Sequence, residues 1–157
     1  MAEGMISRDR VAVRNRRARH DYFIEDRLEA GIVLTGTEVK SLRHGRGSLL
    51  DAWAGERNGE LWLNEAHIPV YENAGPASHE PKRRRKLLVS KRERDRLLGR
   101  VQREGVTLVP LSIYFNARGL AKVELAIARG KRKYDKRESE KTRDWQRQRQ
   151  RLMREKG

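Results

Sequence analysis

Cysteine is absent from the 157 residues, and aromatic residues make up only 6% of them. The missing cysteines exclude disulfide bonds, thiolate metal ligands and a cysteine nucleophile. No apolar run approaches the roughly 20 residues of a membrane-spanning helix, and no apolar segment follows the basic residues near the N-terminus. We therefore expect a cytoplasmic protein with no membrane partner.

The motifs of common catalytic and cofactor sites are missing as well. The sequence contains no HExxH, no GxSxG and no phosphate-binding loop. The histidines are scattered without close pairing, at His20, His44, His67 and His79. Acidic residues crowd the first third of the chain, but most lie beside basic residues and are interpreted as solvated pairs: Glu25, Asp26, Glu29 and Glu38. We expect no enzyme activity, no metal and no cofactor.

Positive charge is what the chain has in excess, because 37 Lys and Arg outnumber 22 Asp and Glu and leave a formal charge of +15. It is concentrated around Asn15–Arg19, at Lys82–Lys86 and along the last 29 residues, from Arg129 to Gly157. Such a balance predicts a polyanionic partner, with nucleic acid as the first choice and an anionic membrane as the second.

The C-terminal segment carries +8 of that charge and few apolar side chains. It cannot bury enough surface to fold alone, but its residues are good helix formers. We expect a flexible N-terminus over residues 1–14, a folded RNA-binding domain over 15–129, and a basic tail over 130–157. The tail should be disordered alone and helical when bound.

Between these ends, the pattern is one of short strands with few helices. Residues 22–35 predict a strand bent at Gly31, and Thr37 predicts the cap of a short helix. Asn58-Gly59 predicts a hairpin turn between two strands. A helix should follow Ser90, and strands should cover residues 106–115 and 120–128, the second alternating in polarity.

This order predicts a mainly β fold with peripheral helices, an antiparallel barrel of the oligonucleotide-binding type. The strand aromatics Trp53, Trp62, Tyr114 and Phe115 are expected in the core rather than as platforms for bases. Little stacking and much positive charge favour structured RNA read by shape and phosphate.

Six motifs in order carry a resemblance to a known family, from Asn15 to the C-terminus. They are NRRARHDYFIE (15–25), EAGI (29–32), GTEVKSLR (36–43), RKLL (85–88), TLVPL (107–111) and GKRKYDKR (130–137). Together they resemble the small protein B family, the tmRNA-binding (SsrA-binding) proteins of bacteria.

The resemblance implies the same barrel and a non-catalytic role in trans-translation, the rescue of stalled ribosomes. The partners implied are the tRNA-like domain of tmRNA, elongation factor Tu in the delivery complex, and the ribosome at its small-subunit decoding centre and mRNA channel.

The resemblance also implies site residues. Asn15, Glu29 and Leu88 should lie at the RNA-binding surface, where an amide and a carboxylate could contact bases or 2′-hydroxyl groups. Charge and placement assign further residues to phosphates: Arg16, Arg17, Arg83, Arg85, Lys86 and Lys122.

In the tail, the resemblance places one segment in the decoding site, with Gly130, Lys131, Tyr134, Asp135, Lys136 and Arg137. Tyr134 stands where some members have histidine, and either ring can stack on a base. Trp145, Leu152 and Met153 should lie on a helix in the empty mRNA path. Basic composition alone also fits a permanent ribosomal or ribosome-assembly protein, and less well an RNA-processing enzyme.

Overall fold

The computed structural model describes residues 10–131, 145–151 and 153. Its described part contains one seven-stranded antiparallel sheet with helices at the periphery. The strands are β1 (Arg10–Arg14), β2 (Tyr22–Ile32), β3 (Trp53–Arg57), β4 (Glu60–Asn64), β5 (Arg85–Leu88), β6 (Thr107–Phe115) and β7 (Ala121–Gly130). The helices are α1 (Ala18–Asp21), α2 (Gly36–Arg43) and α3 (Lys91–Glu104), with a 3₁₀ segment at Glu72–Ala77. Residues 145–151 are helical.

The sheet closes on itself. Strands β6, β3, β4, β5, β2 and β7 are hydrogen-bonded in that order, and β7 pairs again with β6. The first strand, β1, lies against β6. Closure removes the unpaired edges of an open sheet. The predicted mainly β fold, an antiparallel barrel with peripheral helices, is confirmed.

The hairpin between β3 and β4 forms as the sequence predicts. Asn58 and Gly59 have φ values of 54° and 75°. A two-residue turn needs positive φ at both positions to match the twist of its strands, and Asn-Gly tolerates this best. The hairpin therefore sets a register in which Gly55 lies opposite Trp62.

The long strand β2 changes partners near its end. Gly31 is paired with Leu88 of β5 on one side and with Lys122 of β7 on the other. A Cβ atom at position 31 would lie 3.2 Å from Cβ of Leu88, so glycine allows the close approach of β5. The bulge of β2, by contrast, lies between Ile24 and Asp26.

Two boundaries differ from the sequence prediction. Arg10–Arg14 forms β1, so the prediction of a flexible segment over residues 1–14 is wrong for its last five residues. Helix α2 is capped by Thr35 rather than Thr37. The Thr35 amide donates to Glu38 Oε1 at 2.8 Å, and the Thr35 hydroxyl accepts from the Glu38 amide. This reciprocal box begins the helix two residues earlier.

Apolar residues fill the barrel and a smaller space outside it. The predicted alternation of β7 is confirmed, because Val123, Leu125 and Ile127 are buried inside. Their neighbours Ala126 and Ala128 are buried too, in a second cluster with Ala18 of α1. Helix α1 therefore covers part of the outer face of β6 and β7, and small alanines let it lie close.

The four strand aromatics do not share one environment. Phe115 is fully buried, as predicted. Trp62 and Tyr114 are only half-buried, and Trp53 is 48% exposed, so the prediction of a core position is wrong for Trp53. Trp53 begins β3 and points out of the barrel, because its neighbour Ala54 points in.

Helix α3 follows the predicted signals. The Ser90 hydroxyl accepts from the Glu93 amide at 3.2 Å, and Gly105 ends the helix with a φ of 65°. Leu97 is the buried residue of its apolar stripe. Within the described ranges, no helix is long and apolar enough to cross a membrane.

Candidate nucleic-acid interface

Strand pairing brings together residues that are far apart in the sequence. Leu88 is paired with Gly31, Gly31 with Lys122, and Lys122 with Tyr114, so these four residues form one row across β5, β2, β7 and β6. Paired residues of an antiparallel sheet lie on the same side. Leu88 is exposed, so the row lies on the outer face of the barrel.

A second row runs beside the first. Glu29 is paired with Glu124, Glu124 with Ser112, and Ser112 with Arg14. Two glutamates facing each other repel, and nearby cations offset this. Arg27 lies 3.5 Å from the Glu124 carboxylate. We call the two rows together the Glu29 face.

The Glu29 carboxylate has partners within the protein but remains exposed to solvent. The Tyr114 hydroxyl donates a hydrogen bond to its carboxylate, and Lys122 Nζ lies 4.0 Å away. Burial, together with the hydrogen bond to Glu29, raises the pKa of Tyr114 well above its usual value, so the phenol stays protonated and remains a donor. The Glu29 side chain is still 55% exposed. Its remaining lone pairs are therefore available to a ligand.

The chemistry of this face suits RNA better than a purely cationic surface would. Lys122 can contact a phosphate, and Leu88 can pack on a sugar or a base. Glu29 can accept from a 2′-hydroxyl or from a base amino group. Sequence reasoning placed Tyr114 in the core and missed this role. The signal was present, because Tyr114 lies between the inward residues Ile113 and Phe115.

The Asn15 side chain is hydrogen-bonded to two other segments of the chain rather than being free on the surface. Its side-chain nitrogen donates to the carbonyl oxygens of Leu49 at 3.2 Å and Pro110 at 3.0 Å. Its backbone amide donates to the Leu111 carbonyl at 2.8 Å. Both amide hydrogens are thus used internally, and the oxygen is the atom left to accept from a ligand. Asn15 also fixes the start of the segment that carries Arg16.

The first basic cluster adjoins the Glu29 face. Arg16 is exposed and lines a groove of about 260 Å³ that also contains Asn15, Arg14 and Glu124. This groove places Arg16 beside the second row of the face. Arg17 caps α1 and lies 3.9 Å from Asp21, with most of its side chain exposed. Such an exposed ion pair is weak, so Arg17 can leave Asp21 and contact a phosphate instead.

Arg85 is fully buried, whereas the sequence prediction of a phosphate contact requires an exposed side chain. Its side chain is 0% exposed, and Nε donates to the Glu38 carboxylate. Nη1 donates to the Ala66 carbonyl at 2.8 Å and Nη2 to the Pro81 carbonyl at 3.0 Å. In a strand, Arg85 must share the inward side with Leu87, since alternate residues face alternate ways. That alternation is the signal that predicts its burial.

Glu38 is equally buried, so its interpretation as a solvated acid is wrong. Burial by itself raises the pKa of Glu38, but hydrogen bonds from Arg83 and the Thr35 amide, with the charge of Arg85, hold it below its usual value. Because both oxygens are engaged, Glu38 joins α2 to β5. We call Glu38, Arg83 and Arg85 the Glu38 cluster.

Two further residues of the second basic cluster, Arg83 and Lys86, were assigned to phosphates, and both are paired with carboxylates. Arg83 Nη2 lies 2.6 Å from Glu38, although 36% of the side chain is exposed. Lys86 Nζ lies 3.0 Å from Glu60. Lys86 shares the outward side of β5 with Leu88, so it can extend the Glu29 face towards β4.

The tail residues fall partly within the described chain. Gly130 ends β7 opposite Tyr22, and Lys131 Nζ lies 5.2 Å from the centre of the Phe23 ring. Trp145 and Met153 are exposed, and Arg149 lies over the Trp145 ring at 5.6 Å. The remaining predicted tail residues lie outside the described residues: Tyr134, Asp135, Lys136, Arg137 and Leu152.

Comparison with known proteins places the chain in a family. A model of the family described as SmpB protein matches residues 12–155. An SsrA-binding protein of Rhizorhabdus wittichii is 55% identical over 148 residues, covering 94% of this chain and 92% of its own. One from Nitrobacter hamburgensis is 54% identical over 157 residues and covers 100% of both chains.

A solved structure agrees with these sequences. A chain of the structure described as "tmRNA-SmpB: a journey to the center of the bacterial ribosome" is 55% identical and superposes with a TM-score of 0.65. The match covers 75% of this chain and 82% of that one. The chain therefore belongs to the SmpB family of SsrA-binding proteins.

Proposed function

We propose that this chain is the RNA-binding adaptor of trans-translation. Its barrel binds tmRNA through the Glu29 face and delivers it to stalled ribosomes. The observation that carries the proposal is the assembly of Glu29, Leu88 and Lys122 on one face, although each comes from a different strand. The solved relative, whose description names tmRNA and the bacterial ribosome, supports the same pair of partners.

The tRNA-like domain of tmRNA is the part of that RNA which the Glu29 face fits best. A folded RNA presents 2′-hydroxyl groups and phosphates along its shallow groove. An exposed carboxylate beside a lysine and a leucine offers one acceptor, one cation and one apolar contact. Phosphate contacts from Arg16 and Lys86 would hold the RNA in register without reading its sequence.

The adaptor performs no chemistry of its own in this proposal. The RNA carries the amino acid, and elongation factor Tu accompanies it in the delivery complex. The barrel supplies shape recognition, and the tail supplies recognition of the ribosome. This division corresponds to a folded RNA-binding domain over residues 15–129, extended by β1, and a tail over residues 130–157.

The tail recognises that the ribosome is stranded. Residues 130–137 enter the decoding site, and the following residues lie along the mRNA path as a helix. A helix of the tail's length spans about 40 Å at about 1.5 Å per residue. It fits the channel only if no message occupies it. The helical conformation of residues 145–151 supports this part of the proposal.

Truncation after Gly130 separates the two roles, because it keeps all seven strands. We expect the truncated chain to bind a transcript of the tRNA-like domain with nearly full affinity, and to lose the tagging of incomplete peptides on stalled ribosomes. A truncation that removes only residues 145–157 serves as the control, since it keeps the decoding-site segment. Loss of RNA binding together with rescue would show that the tail is a general electrostatic anchor.

Ribosomes stalled on messages of increasing length test the channel. We expect cross-linking of the tail to the small subunit to fall as the message extends beyond the decoding site. Binding of the isolated barrel to the tRNA-like transcript should not change with message length. Undiminished tail engagement on a long downstream message would contradict the proposal.

A further inference from the structure

A groove on the far side of Asn15 lies outside the Glu29 face. It is about 370 Å³ in volume and is walled by Trp53 and Leu50 on one side and by Tyr22 of β2 on another. Leu50 and Trp53 are among the exposed large apolar residues of the barrel. An exposed tryptophan in a groove needs an explanation, since an isolated barrel gains little by leaving it in water.

The Trp53 ring is held in place by the backbone beneath it. A Cβ atom at position 55 would lie 3.1 Å from ring carbon Cε3 and 3.3 Å from Cη2, and even nearer to Cζ3. Glycine at position 55 therefore lets the ring lie against the strand. The ring still lines the groove, and 48% of the residue is exposed. A ring fixed in this way can stack with little loss of conformational entropy.

The polar atoms around this groove match a base rather than a phosphate. Its charged lining residues are two carboxylates, Asp21 and the exposed Asp51, and Asn15 contributes an amide whose hydrogens are already donated elsewhere. These groups accept hydrogen bonds, so they suit the imino and amino hydrogens of a base and repel a phosphate, while the hydroxyl groups of Tyr22 and Thr107 can donate or accept. The nearby cations Arg16 and Arg17 are exposed and can hold the backbone that carries the base.

The groove adjoins the smaller one beside the Glu29 face, because the two share Asn15. Asn15 lines both this groove and the smaller one that contains Arg16 and Glu124. Glu124 is in turn the partner of Glu29 across β2 and β7. A strand of RNA lying on the Glu29 face and passing Arg16 would therefore reach Trp53 next.

We propose that Trp53 is a base-stacking platform, and that this groove binds one unstacked base of the RNA held on the Glu29 face. The inference rests on the proposed function, and it adds a contact that charge and shape alone do not supply. Stacking on an aromatic ring tolerates any base, while the acceptors beside it favour a base with hydrogens on its pairing edge.

Substitution of Trp53 by alanine tests the contact directly. We expect the affinity for a transcript of the tRNA-like domain to fall about 5- to 150-fold, the range for loss of one stacked base. Trp53→Phe should retain most of the affinity. The slope of log affinity against log salt should stay unchanged in both variants, because no phosphate contact is lost. Val70→Ala is the matched control, since Val70 is similarly exposed and lines neither this groove nor the one beside the Glu29 face.

Fluorescence gives an answer that does not depend on how stable the alanine variant is. In a full chain with Trp62→Phe and Trp145→Phe, Trp53 is the remaining tryptophan. We expect the tRNA-like transcript to quench its emission at the same concentrations at which it binds. Binding without quenching, or unchanged affinity of Trp53→Ala, would overturn the inference. Either result would indicate that the groove binds a protein ligand instead of a base. Failure of the unaltered chain to bind the transcript would instead overturn the proposed function.

Discussion

Two glutamates of this barrel are both bonded to cations, but in opposite surroundings. Glu38 and Arg85 are each 0% exposed, whereas the side chains of Glu29 and Lys122 are 55% and 25% exposed. In the Glu38 cluster, both carboxylate oxygens and all three guanidinium nitrogens of Arg85 have partners within the protein, and Arg83 donates to the same carboxylate. On the Glu29 face, lone pairs and a lysine remain for a ligand. Similar charges therefore hold elements together in one place and offer binding groups in the other.

The comparison predicts its largest effect for Arg85→Ala. Removal of Arg85 leaves one oxygen of the buried Glu38 carboxylate without its cation and only the partly exposed Arg83 to balance the charge, so the free energy of unfolding should fall by about 3 kcal/mol. Urea denaturation followed by circular dichroism measures the loss. Arg83→Ala is the control, and should cost about 1 kcal/mol because that side chain is partly in water. If the Arg85→Ala chain is instead stable, and its RNA affinity depends less steeply on salt, Arg85 contacts a phosphate as the sequence predicted.

Acid should weaken the Glu38 cluster selectively. The pKa of Glu38 is lowered by folding, so its contribution to stability is complete above its unfolded value of about 4.5 and is lost as the pH falls through the folded value. We expect Glu38→Gln to flatten the fall in unfolding free energy below that pH. Denaturation at pH 7, 4.5 and 3 checks this. Parallel curves for the two chains would show that other acids govern the acid transition.

Glu29→Ala should act on binding instead of stability. Although the change removes a negative charge, we expect the affinity for the tRNA-like transcript to fall about tenfold, since a hydrogen bond to a charged group is lost. The free energy of unfolding should change by less than about 0.5 kcal/mol. Filter binding at fixed salt measures the first quantity. A gain in affinity would show that Glu29 only repels the RNA.

The smallest effect is expected for Lys122→Gln. Loss of one phosphate contact should reduce the slope of log affinity against log salt by about 0.7–0.9. Titrations of the transcript at several salt concentrations give this slope. Arg94→Gln on α3 removes one charge outside the Glu29 face and should leave the slope nearly unchanged. Equal changes in both variants would mean that overall charge, not this face, sets the affinity.

Local signals in the sequence predict most of the barrel. Asn58-Gly59, the Ser90 cap and the alternation of β7 act over a few residues, so their physical effect can be read without knowing the fold. Thr35 was missed because Thr37 offers the same hydroxyl two residues later, and the choice between them depends on where the Glu38 carboxylate lies. Segment 10–14 was missed because an edge strand with little burial carries a weak pattern.

For the candidate site, too, the sequence indicates some residues, whereas their arrangement depends on the fold. Family motifs indicated Glu29 and Leu88, and charge indicated Lys122, but nothing in the spacing of these residues shows that they share one face. That follows from the pairing of β2 with both β5 and β7. The basic run from Lys82 to Lys86 looked uniform, yet strand alternation turns Arg85 inward and leaves Lys86 outside. Likewise Trp53 was predicted in the core because residue type alone does not say on which side of a strand it lies.

Composition, charge and local pattern by themselves determined that this protein is a basic, cysteine-free barrel with a polyanionic partner. Net charge and composition are totals over the chain, and turn and cap preferences act over a few residues, so neither depends on the fold. The tertiary structure alone decided which charges are used internally and which are offered to RNA. Burial and partnership depend on the register between strands tens of residues apart, and that register is what separates Glu38 from Glu29.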